Sequence, residues 1–156
     1  MTFYSILKDI HAYNRYFILL ALVFVLFRAY TGWLNNRRYE KPDNIGAASL
    51  LGFCHLQLLL GLLLLGISPY GMPAFSEGSA SQPGSWARYF TMEHAGAMIV
   101  AITLVQLGRS FSKKRTDDKQ KHRIIAIYTT IATLLIIGTL AHKGLVWRRL
   151  ADVVAQ

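Results

Sequence analysis

Apolar residues along this chain neither alternate nor recur in short amphipathic stripes. They accumulate in four long runs separated by stretches rich in Lys, Arg, Gly, Pro and Ser. The first run has an unbroken apolar centre from Tyr16 to Phe27 and predicts a helix over about 5–34; the others predict helices over about 45–67, 86–109 and 120–147. A helix needs ~20 mostly apolar residues to cross a hydrocarbon core ~30 Å thick, and each run meets that length. The expected fold class is all-α, an integral membrane four-helix bundle running up-down-up-down, with residues 1–156 forming a single transmembrane domain.

The punctuation between the runs agrees. Residues 35–44 form a polar turn carrying Arg37, Arg38 and Lys41, and Pro42 with Asp43 and Asn44 suits the start of the second helix. Residues 68–85, SPYGMPAFSEGSASQPGS, show no strand periodicity and predict a loop. Residues 109–123 are the most charged stretch and predict a solvated turn, with His122 inside it. Arg28 is expected to snorkel at one end of the first helix, with Tyr30, Trp33, Trp86 and Tyr89 as interfacial aromatics. Residues 1–14 contain Lys8, Asp9 and His11 and show no Ala-x-Ala-like cleavage site, so they are expected to belong to an uncleaved first helix.

Composition supports the membrane class, with 53% hydrophobic against 16% charged residues. The net charge of +9 could suggest nucleic acid. The basic residues instead cluster at the ends of apolar runs, where they set topology and meet anionic lipid. The first and third connections carry ten Lys/Arg (37, 38 and 41; 109, 113, 114, 115, 119, 121 and 123), against six on the other side (8, 15, 88, 143, 148 and 149). The positive-inside rule then places both basic connections in the cytoplasm and both termini outside. Cys54 is the sole cysteine, which excludes disulfide-forming redox chemistry needing paired thiols.

Each apolar run contributes one imidazole: His11, His55, His94 and His142. Ionisable groups at membrane depth are costly and mark cavities, partners or cofactors. His55 shares a helical stripe with Ala48, Gly52, Leu59 and Gly66, and His94 one with Ala97, Ala101 and Gly108, so both stand over small residues. Such stripes serve either helix packing or the approach of something bulky. Glu93 lies about 100° around the helix from His94 and is expected to meet another neighbour or a cation such as Arg15, which shares a face with His11. Counted from the cytoplasmic helix ends, the histidines form a ladder at roughly 15 Å (His55), 22 Å (His94), 28 Å (His142) and above 30 Å (His11).

Such a ladder suits haem, redox metals or a proton path. Haem is favoured over zinc or copper because it needs one or two axial ligands, an apolar slot and cations for its propionates, whereas zinc wants three or four converging ligands. His55 and His94 are the first choice for the iron, His11 and His142 the alternates. His11, Arg15 and Arg88 could meet the propionates.

Four segments carry a resemblance: HAYNRYFILL from His11, CHLQLLLGLLLLGISP from Cys54, FTMEHAGAMIVAITLVQLGRS from Phe90, and KHR at Lys121–Arg123. With them the chain resembles a family of short four-helix bacterial membrane proteins known as cytochrome B, over most of its length. The resemblance implies b-type haem and electron transfer. Its pattern matches at His11, Arg15, His55, Gln57, Glu93, His94 and Gly108-Arg109-Ser110. It departs at Tyr13, where the family has a second histidine, and it has no counterpart of His142.

The expected function is therefore a membrane b-type cytochrome-like protein exchanging electrons with a quinone or a respiratory-chain protein, alone or as a homo- or hetero-oligomer in the lipid bilayer. The alternatives are a non-catalytic subunit of a larger complex and a metal- or proton-handling protein using the same histidines. No nucleophile-base pair or phosphate-binding glycine loop is visible, which points to an electron carrier or subunit rather than a stand-alone enzyme, with no nucleic-acid partner.

Overall fold

The computed structural model describes residues 2–146, and Arg148 and Arg149 of the charge count lie outside them. Four long helices are present: α1 (Phe3–Leu34), α2 (Lys41–Ile67), α4 (Trp86–Lys113) and α5 (Asp118–His142). The short α3 (Met72–Ser76) and a 3-10 turn at Ser79–Ser81 lie in the connection between α2 and α4, where the sequence predicts only loop. All four long helices are long and apolar enough to cross a membrane.

Each terminus has a local cause. Thr2 caps α1 by accepting the Ser5 N–H at 3.2 Å. α2 begins at Lys41, four residues before its apolar run, with Pro42 in its first turn, where a missing N–H costs nothing. Asp117 caps α5 by accepting the Gln120 N–H at 3.1 Å. α4 runs to Lys113 rather than 109, carrying basic residues at the end where the helix dipole favours them.

The helices form a four-membered ring in which α1 packs on α2 and α5, and α4 packs on α5 and α2, leaving α1 and α4 on a diagonal. Pairing is antiparallel: Arg15 near the start of α1 donates to the Leu145 carbonyl just beyond α5 at 2.6 Å, while Tyr30 bonds Thr130 at 2.8 Å. The core is built of Leu22, Val25, Leu50, Cys54, Ala101, Val105, Ala126 and Ile136 with their neighbours. The outside is no less apolar: Leu20, Val23, Phe27, Leu59, Val100 and Leu134 are all more than half exposed. A surface of that kind is compatible with lipid as the surrounding solvent.

At the end of the bundle that holds the short α1–α2 turn, Asp43 is buried and gathers the connection. Its Oδ1 accepts from Arg28 Nε at 2.8 Å and Arg37 Nη2 at 2.7 Å, and its Oδ2 from Arg37 Nη1 at 3.0 Å and the Glu40 N–H at 2.9 Å. The hydrogen bond to Asp43 holds the Arg37 guanidinium above its ordinary pKa. Arg28 therefore does not simply snorkel into water; it is one arm of this clamp. His122 is likewise no solvated turn residue. It is 1% exposed, tilted against the Tyr39 ring at 5.1 Å and seated on Gly32, where any side chain would collide with the imidazole.

Candidate functional site

The site forms at the opposite end of the bundle, on the diagonal pair of helices. Ser85 starts α4 by accepting the Arg88 N–H at 3.1 Å. From Tyr89 to His94 the backbone is wound as a π-helix, and α geometry resumes at Ala95. Such a turn inserts about one residue into the helical repeat and is frequent at functional sites. Here it accompanies the inward placement of Tyr89, which is 1% exposed and donates its hydroxyl to the Thr139 carbonyl at 2.9 Å. The Tyr89 and Phe90 rings flank His94, with centroids at 5.6 Å and 5.9 Å.

Across the bundle, the His11 ring on α1 stands with its centroid 6.3 Å from that of His94 and its plane at 65° to it. In both rings Nδ1 is buried with no hydrogen-bond partner among the described residues. On α2, Gly61 borders His11: a Cβ there would lie 3.4 Å from Cε1 of the imidazole, in ordinary van der Waals contact. Asn14 and Gln57 lock α1 to α2 beside this ring. Asn14 donates to the Phe53 carbonyl at 3.0 Å and to Gln57 Oε1 at 2.8 Å, and Gln57 donates to the His11 carbonyl at 3.0 Å.

Arg15 lies one turn along α1 from His11, its guanidinium over the Tyr16 ring at 4.9 Å. Glu93 turns to Arg88 at 3.5 Å, not to Arg15, and both are about 40% exposed. His142 is exposed and lines, with Glu93 and Tyr89, a cavity of about 310 Å³ between α4 and α5.

The structure brings His11 and His94 to one level and does not bring His55 to His94. His55 is exposed on the outer face of α2, together with Gly52, Leu59 and Gly66, and a Cβ on Gly52 or Gly66 would meet nothing within 4 Å. The small-residue stripe thus points out of the bundle. The ladder also fails for His11 and His94. Counting from helix ends treats those ends as level, whereas α1 at 32 residues is about 48 Å long and overruns the bilayer core. Missed altogether in the sequence were the Asn14–Gln57 bridge, the π turn and Tyr89 as an inward group. Gln57, a lone amide in an apolar run, was the available signal for the first.

Two imidazoles bound on opposite sides of one metal, at ~2 Å per metal–nitrogen bond, hold their centroids about 6 Å apart. The His11–His94 spacing and the two unpaired buried nitrogens are compatible with both imidazoles holding one metal, and Arg15 places a cation at that end. A closed zinc or copper site finds less support, since no three His, Cys, Asp or Glu side chains converge among the described residues. Comparison with known protein families, curated proteins and solved structures found no match.

Proposed function

We propose that the protein is a b-type cytochrome of a bacterial cytoplasmic membrane, in which His11 and His94 would hold one haem. The single observation that carries this is the 6.3 Å pairing of two imidazoles, each with a buried unpaired nitrogen, on the two helices that face each other across the bundle. When bound, haem supplies a one-electron iron couple whose potential is set by its ligands and surroundings. His11 and His94 would bind the iron through their unpaired nitrogens. Tyr89, Phe90 and Gly61 shape the walls around the rings, and Arg15 provides positive charge for a carboxylate. With the basic connections in the cytoplasm, both termini and the His11–His94 pair lie towards the outer surface. The electron partners are a quinone or a respiratory-chain protein.

The test is an air-oxidised minus dithionite-reduced spectrum of detergent-purified protein, with a pyridine haemochrome assay on the same sample. The expected result is a b-type α band that is lost in His11→Ala and in His94→Ala and kept in His55→Ala. A colourless protein from haem-supplied cells overturns the reading.

His55 favours a second reading that is compatible with the first. An imidazole on the lipid-facing side of α2, above open glycines, is costly in hydrocarbon and suits a subunit that packs this face on another membrane helix. Cross-linking through Gly52→Cys in native membranes should then capture a partner; labelling by lipid probes alone removes this reading.

A further inference from the structure

The cavity between α4 and α5 differs in character from the imidazole pair beside it. Its walls are Leu134, Leu135 and Gly138, and its polar groups are Glu93, Thr139 and His142. At about 310 Å³ it lies at the low end of ligand pockets, which run from ~300 to ~1,000 Å³. It takes a single substituted ring, not a macrocycle. Thr139 is already committed, its hydroxyl to the Leu135 carbonyl at 2.7 Å and its own carbonyl to Tyr89. Glu93 and His142 remain as the groups that can meet a ligand, Glu93 being steadied by Arg88 at 3.5 Å.

We propose that this cavity binds the ring of a lipid-soluble quinone or quinol, with His142 donating to one oxygen, Glu93 accepting from the hydroxyl that reduction forms at the other, and its tail leaving past Leu134 into the bilayer. The chemistry of the lining selects this class. A quinone ring is flat and apolar on its faces, carries acceptor oxygens at opposite ends that become donors on reduction, and arrives through lipid. The lining offers leucine walls, an imidazole that can donate or accept, and a carboxylate that accepts. Leu134 is 68% exposed, so the cavity opens sideways where a tail must pass. Tyr89 forms the shared wall: it lines the cavity and its ring lies 5.6 Å from that of His94. A bound ring therefore sits one aromatic side chain from the imidazole pair. Its role as electron partner rests on the haem reading above, but its binding does not.

Gly138 supplies the decisive variant. A Cβ there would meet nothing within 4 Å, so a side chain at this position starts into open space: Gly138→Leu occupies the cavity, and Gly138→Ala leaves most of it open. The experiment is photolabelling of the purified full chain with an azido-benzoquinone carrying a decyl tail, followed by peptide mapping. Expected is saturable labelling of residues 89–93 and 134–142, competed by decyl-benzoquinone, not competed by phosphatidylcholine, and weakened roughly tenfold in Gly138→Leu. His142→Leu weakens it in the same way and serves if Gly138→Leu does not fold. Labelling spread evenly over the outer faces of α1 and α2, or competed equally by phosphatidylcholine, overturns the proposal in favour of an acyl-chain groove. A haemochrome assay on the same sample separates the two readings: saturable labelling of a haem-free protein leaves this site standing while the cytochrome reading fails, and the converse result does the reverse.

Discussion

Asn14 on α1 and Gln57 on α2 are joined by a 2.8 Å hydrogen bond, and Gln57 passes the connection on to the backbone carbonyl of His11 at 3.0 Å. Two helices whose contact surfaces are otherwise apolar are thereby fixed in one register beside the proposed ligand. Interhelical hydrogen bonds in membranes are individually modest, averaging ~0.6 kcal/mol and reaching ~1.7. Gln57→Leu removes one donor and leaves Asn14 without its side-chain acceptor. The expected loss is about 1–2 kcal/mol of stability in detergent unfolding, together with a reduced haem-to-protein ratio in the haemochrome assay. An unchanged ratio would show that Gln57 holds the helices without positioning His11.

The clamp on Asp43 should be far more sensitive. Its side chain is 3% exposed and faces Arg28 and Arg37. Asp43→Ala removes the acceptor for both and for the Glu40 N–H, leaving two partly buried guanidiniums close together. Breaking a buried ion pair from one side costs ~3–5 kcal/mol, and the partial exposure of the arginines places the expectation near the lower bound. Thermal unfolding of the two proteins in the same detergent measures it; a loss under about 1 kcal/mol would mean that water already screens the cluster.

Gly32 and His122 form a fitted pair, because a methyl on Gly32 would collide with the imidazole. The ring is boxed in by Tyr39 on another side. Gly32→Ala should cost about 1–3 kcal/mol by overpacking, and the double variant Gly32→Ala, His122→Ala should recover part of that loss. Additive losses would show that the methyl and the ring do not meet.

Two glycines make a paired test of inside and outside. A Cβ on Gly108 would lie 2.6 Å from Cβ of Tyr128, an atom tied to the α5 backbone, whereas a Cβ on Gly52 meets nothing within 4 Å. Gly108→Ala should force α4 and α5 apart and cost about 2 kcal/mol. Gly52→Ala should be neutral or gain up to ~1 kcal/mol from helix propensity. Loss in Gly52→Ala measured in native membranes but absent in detergent would show that this face is packed on another helix.

By itself the sequence determined the number of helices long and apolar enough to cross a membrane and most of their ends, because run length and flanking charge report directly on a ~30 Å apolar solvent. It also supplied the candidate imidazoles. It did not determine which face of each helix turns inward. In water, polarity marks the outside; in lipid the outside is as apolar as the core, so periodicity places His55 and Gly52 on one stripe without saying where the stripe points. The stripe faces out, and Gly61 and Gln57, elsewhere on α2, face His11. Nor could a 3.6-residue repeat anticipate the π turn at Tyr89–His94, after which simple face counting no longer holds. Pairing His11 with His94, burying His122 and gathering two arginines on Asp43 all depend on which helices are neighbours, and that was decided by packing between segments distant in the chain.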